Sequence, residues 1–376
     1  MPIPITAEIA AHLEHNDFSL AVRRMLDACY DTAAPQLIKQ AIEWSKAYRK
    51  QPVAANPDKD WQQQANALLQ EIDTASNSTQ APQLLVTAQQ VSKTYNSGNF
   101  SLQPISLQLQ QGAILGVVGE NGNGKTTLLR CLAGQLSLDK GSVEYTLLHK
   151  PDYFAIKNYV VFIPQRIPRW FGLLKDNLHF SASIAGIQGA ENILMVDFML
   201  ERLNLSKYAN LTWNQISSGY RTRFEIARIL LQKPQLLILD EPLANLDINA
   251  QQTILTDLKY LAKSVRQPMG IILSSQQLHE VEKIADDVML IKNGYCIVST
   301  SNHTSHGVAI EVETTASRDA LLQLLTPHQV QLQYNGGFYT ITSTAHSAQQ
   351  IITTLVNGNI PINYFRDITY STKRYF

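Results

Sequence analysis

The chain has 376 residues, and at roughly 150 residues per domain it is too long for one ordinary unit. Apolar residues make up 45% and charged residues 16%, a balance that excludes global disorder and permits a sizeable core. The 31 basic and 31 acidic residues cancel, which removes the broad positive field of a sequence-independent nucleic-acid binder, so no nucleic-acid partner is expected.

No stretch approaches about 18 uninterrupted apolar residues, so no membrane span is expected. The opening MPIPITAEIA lacks a basic region followed by an apolar run, so no signal peptide is indicated. Cys29, Cys131 and Cys296 lie far apart and without metal-ligand spacing, as isolated core thiols of a reducing compartment do. These readings predict a cytosolic protein.

Residues 1–73 read as helices. Val22, Met25, Leu26, Cys29 and Tyr30 form one helical stripe, as do Ile38, Ala41, Ile42, Ser45 and Tyr48 after Pro35. Trp61, Ala65, Leu68 and Ile72 make a third, so three short helices in a bundle are predicted. Lys46, Arg49 and Lys50 form a modest basic cluster, expected on a solvated face. Residues 74–83 have the small, polar composition of a linker.

Residues 84–300 alternate β-rich runs with helical patterns, which predicts an α/β domain with a largely parallel sheet. AILGVVG, LLILD and GIILSS are apolar strands expected to be buried on both faces. Residues 301–376 follow the order βαββαβ, that of a ferredoxin-like split βαβ unit. Its parts are alternation at Val308, Ile310 and Val312, a helix from Arg318 to Leu325 and a strand at 330–334. A hairpin signal at Asn335-Gly336-Gly337, alternation at Tyr339, Ile341 and Ser343, a helix from Ala348 to Leu355 and a strand near 362–370 complete it.

The chemistry begins at Gly119-Glu-Asn121-Gly122-Asn123-Gly124-Lys125-Thr126, which fits G-x-x-x-x-G-K-[ST] between an incoming strand and a helix opening at Thr127. The glycines let backbone N–H groups curl inward around phosphate oxygens, and the helix N-terminus adds its dipole. Lys125 can reach the β- and γ-phosphates, and the Thr126 hydroxyl can ligate Mg²⁺. A nucleoside triphosphate is the predicted ligand. Downstream, LLILD ends in Asp240 and Glu241. A carboxylate at that end of a strand faces the crevice of an open α/β sheet. Asp240 is expected to bind Mg²⁺ through its water shell, and Glu241 to orient and deprotonate an attacking water.

Across about 84–300 the chain resembles the nucleotide-binding subunit of ABC transporters, a P-loop NTPase fold with a small helical subdomain, expected here at about 167–212. Ile216-Ser217-Ser218-Gly219-Tyr220 resembles the family's LSGGQ signature. Gln165, after VVFIP, sits where the family has the glutamine that senses Mg²⁺ and the γ-phosphate. Leu246-Asp247 resembles the D-loop, and Tyr95 sits where an aromatic ring stacks on adenine.

The resemblance implies ATP with Mg²⁺, and ATP hydrolysed in a nucleotide sandwich. One copy's phosphate loop is covered by Ser217, Gly219 and Asp247 of another, in a homodimer or heterodimer that closes on ATP. It also implies a separate membrane permease and a peripheral position on the cytoplasmic side.

Three positions depart from the family. Ser218 replaces a glycine, Tyr220 a glutamine, and Gln276 the switch histidine. Glutamine can donate a neutral hydrogen bond to the γ-phosphate but cannot become cationic, so slow hydrolysis is expected, with binding lacking hydrolysis as the alternative. His279 is not expected to reach the same atom. Arg169, Trp170 and Phe171 are candidates for permease docking, against a partly buried aromatic pair. The tail from Asn363 resembles those of export-type members, which implies an exporter. The competing reading is a soluble ABC ATPase acting on ribosomes or DNA. One cassette, no sustained heptads and the balanced charge weigh against it.

Overall fold

The computed structural model describes residues 5–50, 59–75, 81–95, 100–148, 152–299, 307–325 and 330–369. Four helices come first: α1 (Ile5–Glu14), α2 (Phe18–Asp31), α3 (Pro35–Lys50) and α4 (Lys59–Ala75). The three predicted stripes become α2, α3 and α4, and α1 is an addition. Only Ile9 of α1 is buried, so no apolar stripe marks it in the sequence. The final helix runs to Ala75, two residues into the stretch predicted as linker. Trp44 and Trp61 stack at 4.3 Å and clasp α3 to α4, each indole donating to the other residue's carbonyl.

Four strands follow: β1 (Leu84–Thr94), β2 (Ser101–Gln110), β3 (Ile114–Val118) and β4 (Lys140–Tyr145). β1, β2 and β4 form a separate antiparallel sheet in the order β2-β1-β4, which the reading of one largely parallel sheet did not separate. β3 instead joins β5 (Val160–Ile163), β6 (Leu236–Leu239), β7 (Gly270–Ser275), β8 (Asp287–Lys292) and β9 (Tyr295–Ser299). Their order is β5-β6-β7-β3-β8-β9, parallel except for β9. Every residue of β3, β6 and β7 is buried, as strands covered on both faces require.

The connecting helices are α5 (Lys125–Leu132), α6 (Tyr153–Tyr159), α7 (Leu174–Ile184), α8 (Gly189–Arg202), α9 (Ser218–Leu230), α10 (Ile248–Ala262) and α11 (Leu278–Val281). α7 and α8 form the predicted helical segment, closed by a bridge between Leu173 and Thr212. Trp170 stacks on Trp213 at 5.1 Å and donates to Glu225, so of the aromatic pair only Phe171, 79% exposed, remains for docking.

The last unit contains β10 (Val308–Thr314), α12 (Arg318–Leu325), β11 (Gln331–Asn335), β12 (Phe338–Ser343), α13 (Ala348–Asn357) and β13 (Ile362–Asp367). Its antiparallel order is β11-β12-β10-β13, that of a split βαβ sheet. Gly336 and Gly337 carry φ of 59° and 95°, which the hairpin turn needs. The tail beyond Thr369 lies outside the described residues.

The helical bundle is not an independent appendage. Asp27 of α2 pairs with Arg202 of α8, and Arg49 of α3 with Glu201 of α8. Tyr30 stacks on Phe198 of α8 at 4.9 Å. On the other side Arg23 reaches Asp257 of α10 at 3.1 Å, and Asp31 accepts from Ser264, Val265 and Arg266. α2 therefore bridges the helical subdomain and the core. Lys46 and Arg49, predicted on a solvated face, belong to this seam, with Lys46 3.4 Å from Asp197. Their partners lie about 150 residues away, where no local pattern could show them.

Burial pushes the Cys29 thiol up to about 12 and Cys131 up to about 11. Both thiols are expected to resist iodoacetamide in the native chain at pH 8 and to react once it is unfolded in urea. Mass spectrometry reads the labelling, and rapid native labelling of Cys29 would contradict its enclosure.

Candidate nucleotide site

The site assembles where β3, β6 and β7 end together. β3 runs into the phosphate loop, and α5 begins at Lys125 with Gly124 as its N-cap at φ 103°. A side chain at Gly124 would also strike the Phe100 ring at 2.6 Å, so glycine is required there twice over. Asn123 is buried and accepts the Asn293 N–H at 2.8 Å, tying the loop to the β8–β9 turn. Glu120, Asn121 and Gly122 form the exposed rim, with Gly122 at φ 81°.

Lys125 is only 4% exposed. Its ammonium donates to the carbonyls of Gly119 and Glu120 at 2.7 and 3.2 Å, and pairs with Glu241 at 3.2 Å. Its charge is thus held at the centre of the loop, between the loop carbonyls and Glu241, where the expected phosphate oxygens would compete with Glu241 for it. Tyr95 is 37% exposed, with its hydroxyl 3.5 Å from Thr127 Oγ1, so the ring borders the start of α5.

Thr126 Oγ1 donates to Asp240 Oδ2 at 2.8 Å, which brings together the two oxygens expected to serve Mg²⁺. A hydroxyl and a buried carboxylate, both hard oxygen donors, fit that ion. Gln165, the third predicted metal residue, turns its amide nitrogen to Glu241 Oε2 at 2.8 Å. Gln276 does the same at 3.0 Å. Glu241 therefore receives Gln165 and Gln276 on one oxygen and Lys125 on the other. His279 is exposed on α11 and makes no hydrogen bond to these groups.

The signature stretch lies apart from this cluster, at the start of α9. Ser217 is the N-cap and forms no side-chain cap bond, which leaves its hydroxyl and the helix N-terminus available. Gly219 is buried, with Ala250 3.3 Å from where a Cβ would stand. Ser218 donates to the Asn245 carbonyl at 3.3 Å, and Tyr220 packs on Tyr208 with centroids 4.0 Å apart. Both departures from the signature are thus absorbed by contacts within the chain. Asp247 is exposed and caps α10 through the Ala250 N–H at 2.9 Å.

One contributor escaped the sequence reading. Ser274 bonds both Asp240 and the Glu241 backbone, and its only signal is a hydroxyl inside the apolar strand GIILSS.

Residues 102–244 match the ABC transporter family pattern. A zinc import ATP-binding protein of Pseudomonas savastanoi is 31% identical over 225 residues, covering 60% of this chain and 79% of that protein. A phosphonates import ATP-binding protein of Treponema denticola is 28% identical over 225 residues, covering 56% and 87%. Among solved structures, a component of an ABC transporter complex from Clostridium perfringens superposes with TM-score 0.51 at 23% identity. It covers 58% of this chain and 88% of its own, and shows the fold alone. The phosphate loop, the paired carboxylates and these matches together make the chain an ATPase of the ABC transporter ATP-binding family.

Proposed function

We propose that the chain is the motor subunit of a membrane transporter, binding Mg·ATP at the β3–α5 loop and hydrolysing it in a closed dimer. The observation that carries this reading is the convergence of Lys125 and Thr126 at the start of α5 with Asp240 and Glu241 at the end of β6, two segments far apart in sequence. Lys125 and the loop amides hold the phosphates. Thr126 and Asp240 would hold Mg²⁺, which when bound offsets phosphate charge. Glu241 accepts a proton from the attacking water, oriented by the amides of Gln165 and Gln276. Water adds to the γ-phosphorus, the bond to the bridging oxygen breaks, and ADP and phosphate leave.

Ser217, Gly219 and the α9 N-terminus would cover the γ-phosphate bound to a second subunit, with Asp247 at the joint. ATP holds the two subunits closed and hydrolysis releases them, which turns a chemical step into motion. Whether the second subunit is another copy or a different chain is decided by the mass of the ATP-bound complex.

No helix among the described residues is long and apolar enough to cross a membrane; the transport path in this reading is supplied by a separate permease. Phe180 and Ile184, one turn apart on α7, are 67% and 69% exposed and Phe171 before that helix is 79% exposed, apolar side chains suited to a permease's cytoplasmic helices. The chain then sits on the inner face of the membrane. The tagged chain is expected to sediment with membranes from its native cells, and Phe180→Asp with Ile184→Asp to release it. A wild-type chain found wholly in the supernatant would contradict the reading. Export rests on the resemblance of the tail from Asn363, while relatives named for zinc and phosphonates are import subunits.

Gln276→His tests the slow-turnover expectation. A cationic donor strengthens a phosphate hydrogen bond by about 1 kcal/mol over a neutral one, so turnover is expected to rise roughly fivefold. Phosphate release measures it, and an unchanged rate would sink the idea.

A further inference from the structure

Ser274 is the fifth residue of β7, and β7 lies between the strand feeding the phosphate loop and the strand ending at Asp240. Its register partner on β3 is Val117, while neighbouring Leu273 pairs with Leu239 of β6. The side chain is 0% exposed, in a strand whose residues Ile271, Ile272 and Leu273 are apolar. A hydroxyl buried in such surroundings is costly unless it is bonded. Here it is bonded in both senses. Its Oγ–H donates to Asp240 Oδ1 at 2.8 Å, and the oxygen accepts the Glu241 N–H at 2.9 Å. Glu241 has φ 48°, a left-handed conformation that a non-glycine residue keeps only when its surroundings impose it.

We propose that Ser274 is a positioning residue for ATP hydrolysis: its hydroxyl fixes the Asp240 carboxylate and holds the left-handed turn that aims Glu241 at the phosphate site. The inference rests on the reading of Asp240 as metal partner and Glu241 as base. Without the hydroxyl, the Asp240 carboxylate keeps its Thr126 contact but loses the Ser274 donor, and the Glu241 N–H loses its acceptor. Relaxation of that turn moves the Glu241 carboxylate, and a displacement of about 1 Å at a reacting group costs on the order of 10²-fold in rate. Lys125 bonds the loop carbonyls independently of Ser274, and a displaced Glu241 competes less for its ammonium, so nucleotide contact without metal is not weakened.

Threonine and valine have the same shape and differ by the hydroxyl, so the pair Ser274→Thr and Ser274→Val isolates it from the added methyl group. Ser274→Ala, which cannot clash, stands in should the larger pair fail to fold. The measurements are kcat and KM for ATP, binding of a fluorescent ATP analogue in EDTA, and the Mg²⁺ concentration that half-saturates its metal-dependent binding.

Valine and alanine are expected to lower kcat by roughly 10- to 100-fold and to raise the Mg²⁺ midpoint, with EDTA affinity equal or tighter and threonine restoring kcat and the midpoint. Equal kcat and equal Mg²⁺ midpoints with and without the hydroxyl would overturn the proposal. Glu241→Gln run in parallel separates the two levels. If it keeps wild-type turnover, the assignment of the base fails, while the Mg²⁺ midpoint still tests the Asp240 arm. If it is inactive and valine matches threonine, the role of Ser274 alone fails.

Discussion

Replacing Glu241 by glutamine is expected to cut ATP turnover by about 10²- to 10⁴-fold without weakening nucleotide binding, because the proton acceptor is removed while the phosphate loop is left in place. The neutral amide has nearly the same shape and cannot take the proton of the attacking water. It also frees Lys125, whose ammonium stands 3.2 Å from the Glu241 carboxylate, to serve the phosphates alone. ATP affinity is therefore expected to be equal or tighter. Steady-state phosphate release and equilibrium binding of a fluorescent ATP analogue read the two effects separately. A variant that binds ATP and turns it over at the wild-type rate would remove Glu241 from the chemistry.

The second large effect concerns the seam between the helical bundle and the cassette. Asp27 and Arg202 have side chains only 11% and 5% exposed, and Arg24 approaches Asp27 at 3.0 Å from the same helix. Removing one member of a buried pair leaves the other without compensation, so Asp27→Ala is expected to cost about 3–5 kcal/mol. Exchanging both, as Asp27→Leu with Arg202→Met, is expected to recover most of that loss, since neither replacement carries a charge and Arg24 keeps Glu8 at 2.9 Å. Urea unfolding followed by tryptophan fluorescence measures both variants. A loss below about 1 kcal/mol for Asp27→Ala would mean that water or side-chain movement compensates Arg202.

The same seam contains a carboxylate held against its preference. Asp257 is enclosed, and burial pushes its carboxyl up, with Arg23, Arg223 and Arg202 pulling the other way. Its role is to join α2 and α9 to α10, through Arg23 at 3.1 Å and Arg223 at 3.7 Å. The bundle that precedes the cassette thus grips both of its lobes by buried charge.

What could be read from the sequence follows the range of each interaction. The phosphate loop is local, eight consecutive residues between a strand and a helix, so its chemistry could be inferred before any fold was known. Asp240 and Glu241 were legible because an apolar strand ending in carboxylates has one natural place in a parallel sheet. The last unit was legible through its period-two strands and the Gly336-Gly337 turn.

The remainder depends on distant partners. Lys46 and Arg49 look like a solvated face until α8 is packed against them. Gln165 and Gln276 lie far apart in the chain, yet both amides meet one oxygen of Glu241. α1 buries only Ile9, too little apolar surface to mark a face. The antiparallel sheet had a signal in the alternating burial of β2, where Leu107 and Leu109 face inward and Gln108 and Gln110 outward. Ser274 carries no motif, because its importance comes from lying between two strands that the sequence separates by more than a hundred residues.

The most direct test of the central claim is to purify the tagged Glu241→Gln chain from its native cells with Mg·ATP and mild detergent present. Blocked hydrolysis should hold the closed, partner-bound state. The expected result is an integral membrane protein recovered in stoichiometric amount and lost when Lys125→Ala is added. Recovery of ribosomes or nucleic acid without a membrane subunit would contradict the transporter reading and favour a soluble machine.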